Sequence, residues 1–285
     1  MTANKKFENL DLEFWANIKL LNQRLGYTIR KTKKNPEGGF VVPSIEDIQR
    51  VFADEGLSTK RLIDGNNFTD LGQLVVDYME FRGSILTNEV EPNLMNKDQA
   101  KKLFYEMKKE CNPKCPLPIN KQKKEKKDFS YLTGLVNMII EKNKGDLDCD
   151  YDPKELTAIT KDGFPIRTLS RRVDGAFPSI IDPQAIWEIK EYYYTTTFGS
   201  RVADGVYETQ LDGWELWEAK ENTGIEVNHY IFVDDYFTWW GMGRSYLCRL
   251  IDSIHMGLVT EVIFGKEVIK RLPELVKDWT IDEKR

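Results

Sequence analysis

"AIWEIKEYYYTTTFGSRVADG", residues 185–205, sets two charges inside an apolar run: Glu188 and Lys190 stand among Ile186, Trp187 and Ile189. The β-branched and aromatic content predicts a strand. Side chains alternate along a strand, so Glu188 and Lys190 share one face while Trp187 and Ile189 share the other. A central strand is covered on both faces, and charged groups buried there must find a partner, a metal or a substrate. A Glu188–Lys190 salt bridge would satisfy both. It leaves unexplained the acid upstream, Asp174, flanked by Arg172 and Gly175 on the neighbouring strand.

Working outward, the spacing predicts a strand over 172–179, a turn around Ile181, Asp182 and Pro183, and a second strand over 185–193. A helix is expected over 200–219, weakened by Gly205 and Gly213. "VNHYIFVDD" (227–235) reads as a third strand, 243–257 as a helix and "VTEVIFG" (259–265) as a fourth strand. A terminal helix follows, interrupted by Pro273. The order ββαβαβ describes an α/β core whose first two strands form a hairpin, and pairing about 181–183 brings Asp174 toward Glu188. Asp182 is the rival acid, although a turn position sets it at the far end of the hairpin.

Upstream of this core the periodicity is helical. Ser44 and Asp47 form a capping pattern before Ile45, Ile48, Val51 and Phe52, and "DEGLSTKRLIDG" suggests a second short helix, so 44–64 has the outline of a helix-turn-helix. Thr69 caps a helix that ends before Gly83, Asn96 and Gln99 open another, and helix returns at 130–142. The proline-bearing, lysine-rich stretch 111–128 is the natural boundary. It divides the chain into a mainly helical accessory or recognition region, 1–128, and an α/β domain, 129–285.

Composition narrows the chemistry. The chain has 285 residues, 41% of them apolar, enough to bury a sizeable core, and no window has the length and character of a signal peptide or membrane span; a cytoplasmic protein is expected. Four cysteines, at 111, 115, 149 and 248, are too few and too scattered for a disulfide framework, and a zinc site would need a distant fourth ligand. Only His229 and His255 are present, which disfavours histidine-rich metal hydrolases, and no G-x-x-x-x-G-K-[ST] occurs. A net charge of -5 does not suggest a nucleic-acid-coated surface, yet RKTKK (30–34) and KQKKEKK (121–127) are local basic clusters, compatible with a basic cleft on an acidic average.

Two carboxylates brought together repel unless a cation lies between them, and hard oxygen ligands suit Mg²⁺ or Mn²⁺. "VDGAFPSIIDPQAIWEIK" (173–190) resembles the bipartite signature of the PD-(D/E)XK nucleases, which include many type II restriction endonucleases. The resemblance spans roughly 150–270 and departs from the pattern at Val173, where the family has proline. It implies a restriction-endonuclease-like mixed central sheet flanked by helices. It also implies Asp174 and Glu188 as metal ligands, assisted by the carbonyl of Ile189, with Lys190 positioning or activating the attacking water. Glu80, Asp182 and Gln210 are supporting candidates; Gln210 is followed four residues later by Trp214, as in part of that family. Arg171, Arg172 and Arg201 are candidate phosphate contacts. The hydroxyl-rich run 192–201 either ends the strand or serves the cleft. The function implied is a Mg²⁺-dependent, site-specific endonuclease of double-stranded DNA working as a homodimer, with no membrane partner. The alternatives are a nonspecific or structure-specific repair or defence nuclease of the same fold, and a non-catalytic DNA-binding module in which Glu188 and Lys190 pair.

Overall fold

The computed structural model describes residues 1–33, 35–36, 38–122, 125–194 and 199–282. Parts of both basic clusters, and residues 195–198 of the tyrosine- and threonine-rich run, lie outside the described residues.

The N-terminal region contains α1 (Leu12–Leu25), α2 (Ile45–Asp54) and α3 (Asp70–Ile85), with short ribbons β1–β2 (Thr28–Ile29 with Gly39–Phe40) and β3–β4 (Ile63–Asp64 with Asn67–Phe68). The expected caps form: Ser44 and Asp47 make a reciprocal capping box, and Thr69 accepts from the Gly72 N–H. The second half of the expected helix-turn-helix does not form. After α2 the chain turns into the β3–β4 ribbon, because Leu62 and Ile63 are drawn into the core of α1, α2 and α3.

The sheet region follows: α4 (Lys97–Cys111), the ribbon β5–β6 (Ile119–Gln122 with Glu125–Phe129), α5 (Tyr131–Asn143), β7 (Asp150–Tyr151), the hairpin β8–β9 (Ala158–Lys161 with Phe164–Thr168), β10 (Gly175–Phe177), β11 (Ala185–Glu191), α6 (Ser200–Thr223), β12 (Asn228–Asp234), α7 (Arg244–His255), β13 (Glu261–Phe264) and α8 (Val268–Asp282). The central sheet has the order β13-β12-β11-β10-β7. Strands β11, β12 and β13 are mutually parallel, while β10 runs antiparallel to both β11 and β7. This is a mixed sheet flanked by helices, beside a helix-rich N-terminal region.

The alternation expected of β11 decides what each face of the sheet carries. Trp187, with Tyr230 and Phe232 of β12, enters a core formed with α4, α5 and α8, where its indole stacks on Trp279 at a centroid separation of 5.9 Å and an interplanar angle of 6°. Ile186, Glu188 and Lys190 face α6 instead. Phe104 of α4 and Tyr131 of α5 belong to one buried cluster, so α4 packs with the sheet rather than with α1, α2 and α3.

Two helices run on past residues expected to interrupt or weaken them. Helix α8 passes through Pro273, with Leu272, Leu275, Val276 and Trp279 buried, and this packing offsets the one lost backbone hydrogen bond. Helix α6 continues through both glycines to Thr223, because each glycine admits a close neighbour: a Cβ at Gly213 would lie 2.4 Å from the Leu258 carbonyl oxygen, and one at Gly205 would lie 3.3 Å from Cδ of Lys190.

Candidate active site

The β10–β11 register pairs Gly175 with Trp187, which places Asp174 opposite Glu188 one step further along. Asp174 lies just before β10. Its backbone N–H donates to the Trp187 carbonyl at 3.1 Å, and its carboxylate Oδ2 accepts from the Ile189 N–H at 2.7 Å. The acid is thereby clamped to the backbone between Glu188 and Lys190. On the pleat, the Ile189 carbonyl faces the same edge as its N–H, toward Asp174.

Glu188 is buried, and Lys190 Nζ approaches its Oε2 at 2.7 Å. The lysine stem runs over Gly205 of α6, and its ammonium also reaches Glu208 Oε2 at 3.1 Å. Arg171 enters from the loop before β10. Its Nη1 lies 2.9 Å from Glu188 Oε1 and 2.6 Å from Asp212 Oδ2, and its Nη2 lies 3.1 Å from Glu188 Oε2. The loop is tied to α6 by Ser170, whose N–H donates to Glu215 Oε2 at 2.9 Å. Oδ1 of Asp212 is buried without a hydrogen bond, while Oε1 of Glu188 is met only by the Arg171 ion pair.

These contacts set the charge states. Burial of Glu188 favours its protonation, but Lys190 and Arg171 outweigh it and hold the carboxyl below its usual range. Burial of Lys190 favours the neutral amine; Glu188, then Asp174, reverse this and hold it above its usual range as an ammonium. Arg171 behaves in the same way and stays a cation. Asp174 keeps solvent access, yet protein crowds its carboxylate; desolvation, followed by repulsion from Glu188, raises it to about 6. Asp212, fully buried, is raised to about 7 mainly by desolvation. Lys190 in this state is a fixed positive charge rather than the proton acceptor that a lowered pKa would make it.

The other expected residues lie elsewhere or serve other contacts. Asp182 adopts a left-handed turn conformation, and its carboxylate accepts from the N–H and hydroxyl of Thr160 in β8, so it pins the β8–β9 hairpin. Glu80 is exposed on α3 beside Asp77 and Phe81. Gln210 points to α7, donating to Ser253 Oγ at 3.2 Å. Arg171 is committed to carboxylates and is not a free phosphate contact. Arg172 and Arg201 are exposed, and the backbone carbonyl of Arg201 accepts from the Tyr192 hydroxyl.

Sequence reasoning missed Glu208 and Asp212. Their signal was present: acids at 208, 212 and 215 recur at helical spacing on the face that Gly205 opens to β11. His229 of β12 lies on the same face of the sheet as Glu188. Burial lowers its imidazole to about 4, one ring nitrogen is within 2.9 Å of the Leu258 carbonyl, and Nε2 is buried without a partner.

Among the described residues, no group of three or more His, Cys, Asp or Glu side chains is arranged to hold a metal ion. The donors at Asp174, Glu188 and the Ile189 carbonyl are all oxygen, as a hard divalent cation prefers, with Arg171 Nη1 2.9 Å from Glu188 Oε1.

Residues 95–279 match the family described as Domain of unknown function (DUF7687), and the chain belongs to it. Residues 1–89 match Domain of unknown function (DUF7690). No curated protein and no solved structure matches the chain.

Proposed function

We propose that this protein is a Mg²⁺-dependent endonuclease of double-stranded DNA, of the PD-(D/E)XK type, and that it cuts at specific sites. The observation that carries the reading is the clamp of the Asp174 carboxylate onto the Ile189 N–H at 2.7 Å, which gathers Asp174, Glu188 and Lys190 at one end of the β10–β11 pair. The antiparallel hairpin, the helix α6 and the parallel strand β12 follow in the order that the resemblance implies.

Charge supports the same chemistry. Glu188, Glu208 and Asp212 pair with Arg171 and Lys190, Asp174 lies beside them, and an acid-rich centre repels a phosphodiester unless a cation joins it. Mg²⁺, held by Asp174, Glu188 and the Ile189 carbonyl, would supply Lewis acidity toward the phosphate and a more acidic bound water. Lys190, fixed by Glu188 and Glu208, offers positive charge to the developing phosphorane oxygens. Arg172 and Arg201, exposed at the rim, are available for flanking phosphates. Symmetric cutting of both strands calls for two copies of the site, hence a homodimer.

The test is digestion of a long linear DNA of known sequence with Mg²⁺, comparing wild type, K190A and an EDTA control. Discrete fragments that vanish in both controls are expected. A metal-dependent smear would replace site specificity with the nonspecific or structure-specific nuclease. The Glu188–Lys190 contact at 2.7 Å favours a second reading, a non-catalytic DNA-binding module. Duplex binding without cleavage, unchanged in K190A, would select it.

A further inference from the structure

Arg171 makes the most heavily shared contact of the site. Its guanidinium lies against both oxygens of Glu188, against Asp212 Oδ2 at 2.6 Å and near Glu208 Oε2 at 3.4 Å. Oε2 of Glu188 already receives Lys190 and Arg171 Nη2, so both of its lone-pair directions are taken. Oε1 makes no hydrogen bond but has Arg171 Nη1 at 2.9 Å. A divalent cation binding that oxygen at about 2.1 Å would lie within roughly 3–4 Å of the guanidinium, where like charges in a buried site repel strongly. Both cannot hold Glu188 together. Oδ1 of Asp212, which has no hydrogen-bond partner, belongs to a side chain with no solvent exposure and flanks the same guanidinium.

Resting on the nuclease reading, we infer that Arg171 is a built-in counterion lock: it competes with a divalent cation for the Glu188–Asp212 pair and swings out when the cation binds, with Asp212 joining the acids that the cation meets. The residue can make this motion. Its side chain retains 23% exposure, so a path to solvent exists, while Ser170, bonded to Glu215, holds the backbone of the loop in place. The four acids outnumber the two cations, and this supplies the attraction for a further cation that the lock opposes. Arg171 is thus a positioning residue that sets the metal threshold of the site.

Mn²⁺ binding to the full-length protein, measured by electron paramagnetic resonance without DNA, tests the lock in wild type, R171Q and R171Q/D212N. Loss of the competing cation is expected to tighten Mn²⁺ at least tenfold in R171Q, and removal of the Asp212 charge to reverse most of that gain. Equal or weaker Mn²⁺ binding by folded R171Q, or no binding by either protein, overturns the inference. Should R171Q fail to fold, wild type labelled with ¹⁵N-arginine and titrated with Mg²⁺ answers the same question. Of the protected guanidinium signals, which include that of fully buried Arg82, the one assigned to Arg171 should become exchangeable as Mg²⁺ saturates, and an Arg171 signal that stays protected at saturation overturns the lock. Because neither readout involves DNA, failure of cleavage alone would count against the nuclease reading and leave the lock standing.

Discussion

Substituting Gly175 by alanine tests the link between the sheet core and the site. Gly175 precedes Ala176 in β10 and pairs with Trp187, and a Cβ at this position would lie 2.1 Å from Cζ2 and 2.2 Å from Cε2 of that indole. Ordinary carbon contacts are about 3.5–4.0 Å, so the ring would have to retreat by about 1.5 Å. It has nowhere to go: Trp187 has no solvent exposure and lies flat on Trp279. Overpacking of this kind costs about 1–3 kcal/mol. Disrupting the aromatic stack adds about 0.5–1.5 kcal/mol, for an expected loss of about 1.5–4.5 kcal/mol. The matched control is G39A, where the added Cβ meets only Ile29 Cδ1 at an ordinary 3.7 Å, and a change within about 0.5 kcal/mol is expected. Urea unfolding followed by tryptophan fluorescence and by far-ultraviolet circular dichroism gives both values. If G175A unfolds within about 0.5 kcal/mol of G39A, Trp187 is not held as described. Because Asp174 and Glu188 neighbour the two residues that clash, G175A should also lower any DNA cleavage, even where the variant remains folded.

Further outcomes follow from the buried charges. Arg82 of α3 is fully buried, donating to Asp252 of α7 at 2.8 Å and to Asn22 of α1 at 3.0 Å, so R82A should cost about 3–5 kcal/mol, and R82A/D252A less than the sum of the single changes by thermal or urea unfolding. Glu191 accepts the N–H groups of Leu132 and Thr133 at the start of α5, yet burial lifts its carboxyl from 4.5 to about 7. Between those values the folded chain keeps a proton that the unfolded chain has lost, so this contribution to stability is full below 4.5 and disappears as pH rises through about 7. E191Q should therefore gain on wild type in unfolding free energy as pH rises from 5 to 8; a pH-independent difference between the two would show that Glu191 is ionised in both states.

Sequence alone determined the order of elements from β10 to α8 and the face of β11 on which Glu188 and Lys190 stand, with no sign in it of the β5–β6 ribbon, of β7 or of the β8–β9 hairpin. Both depend on local period and local turn chemistry: alternating apolar residues mark the strands, and Ser44, Thr69 and Asn96 mark helix starts by the donors they cap. It also indicated that a hairpin would bring an acid toward Glu188, leaving Asp174 and Asp182 in competition. Register, a tertiary quantity, separates them: the pairing of Gly175 with Trp187 sets Asp174 against Glu188 and leaves Asp182 to bind Thr160. The packing of α4 with the sheet rather than with the N-terminal helices was likewise not legible, because the apolar stripe carrying Phe104 would suit either neighbour. The same holds for Glu208 and Asp212. Their helical spacing was visible, but only the docking of α6 through Gly205 and Gly213 decides which charges that face meets, and only there does Arg171 become the counterion of buried carboxylates instead of a surface cation. Burial and charge pairing depend on chain segments distant in sequence, and those decide the ionisation of Lys190 as well.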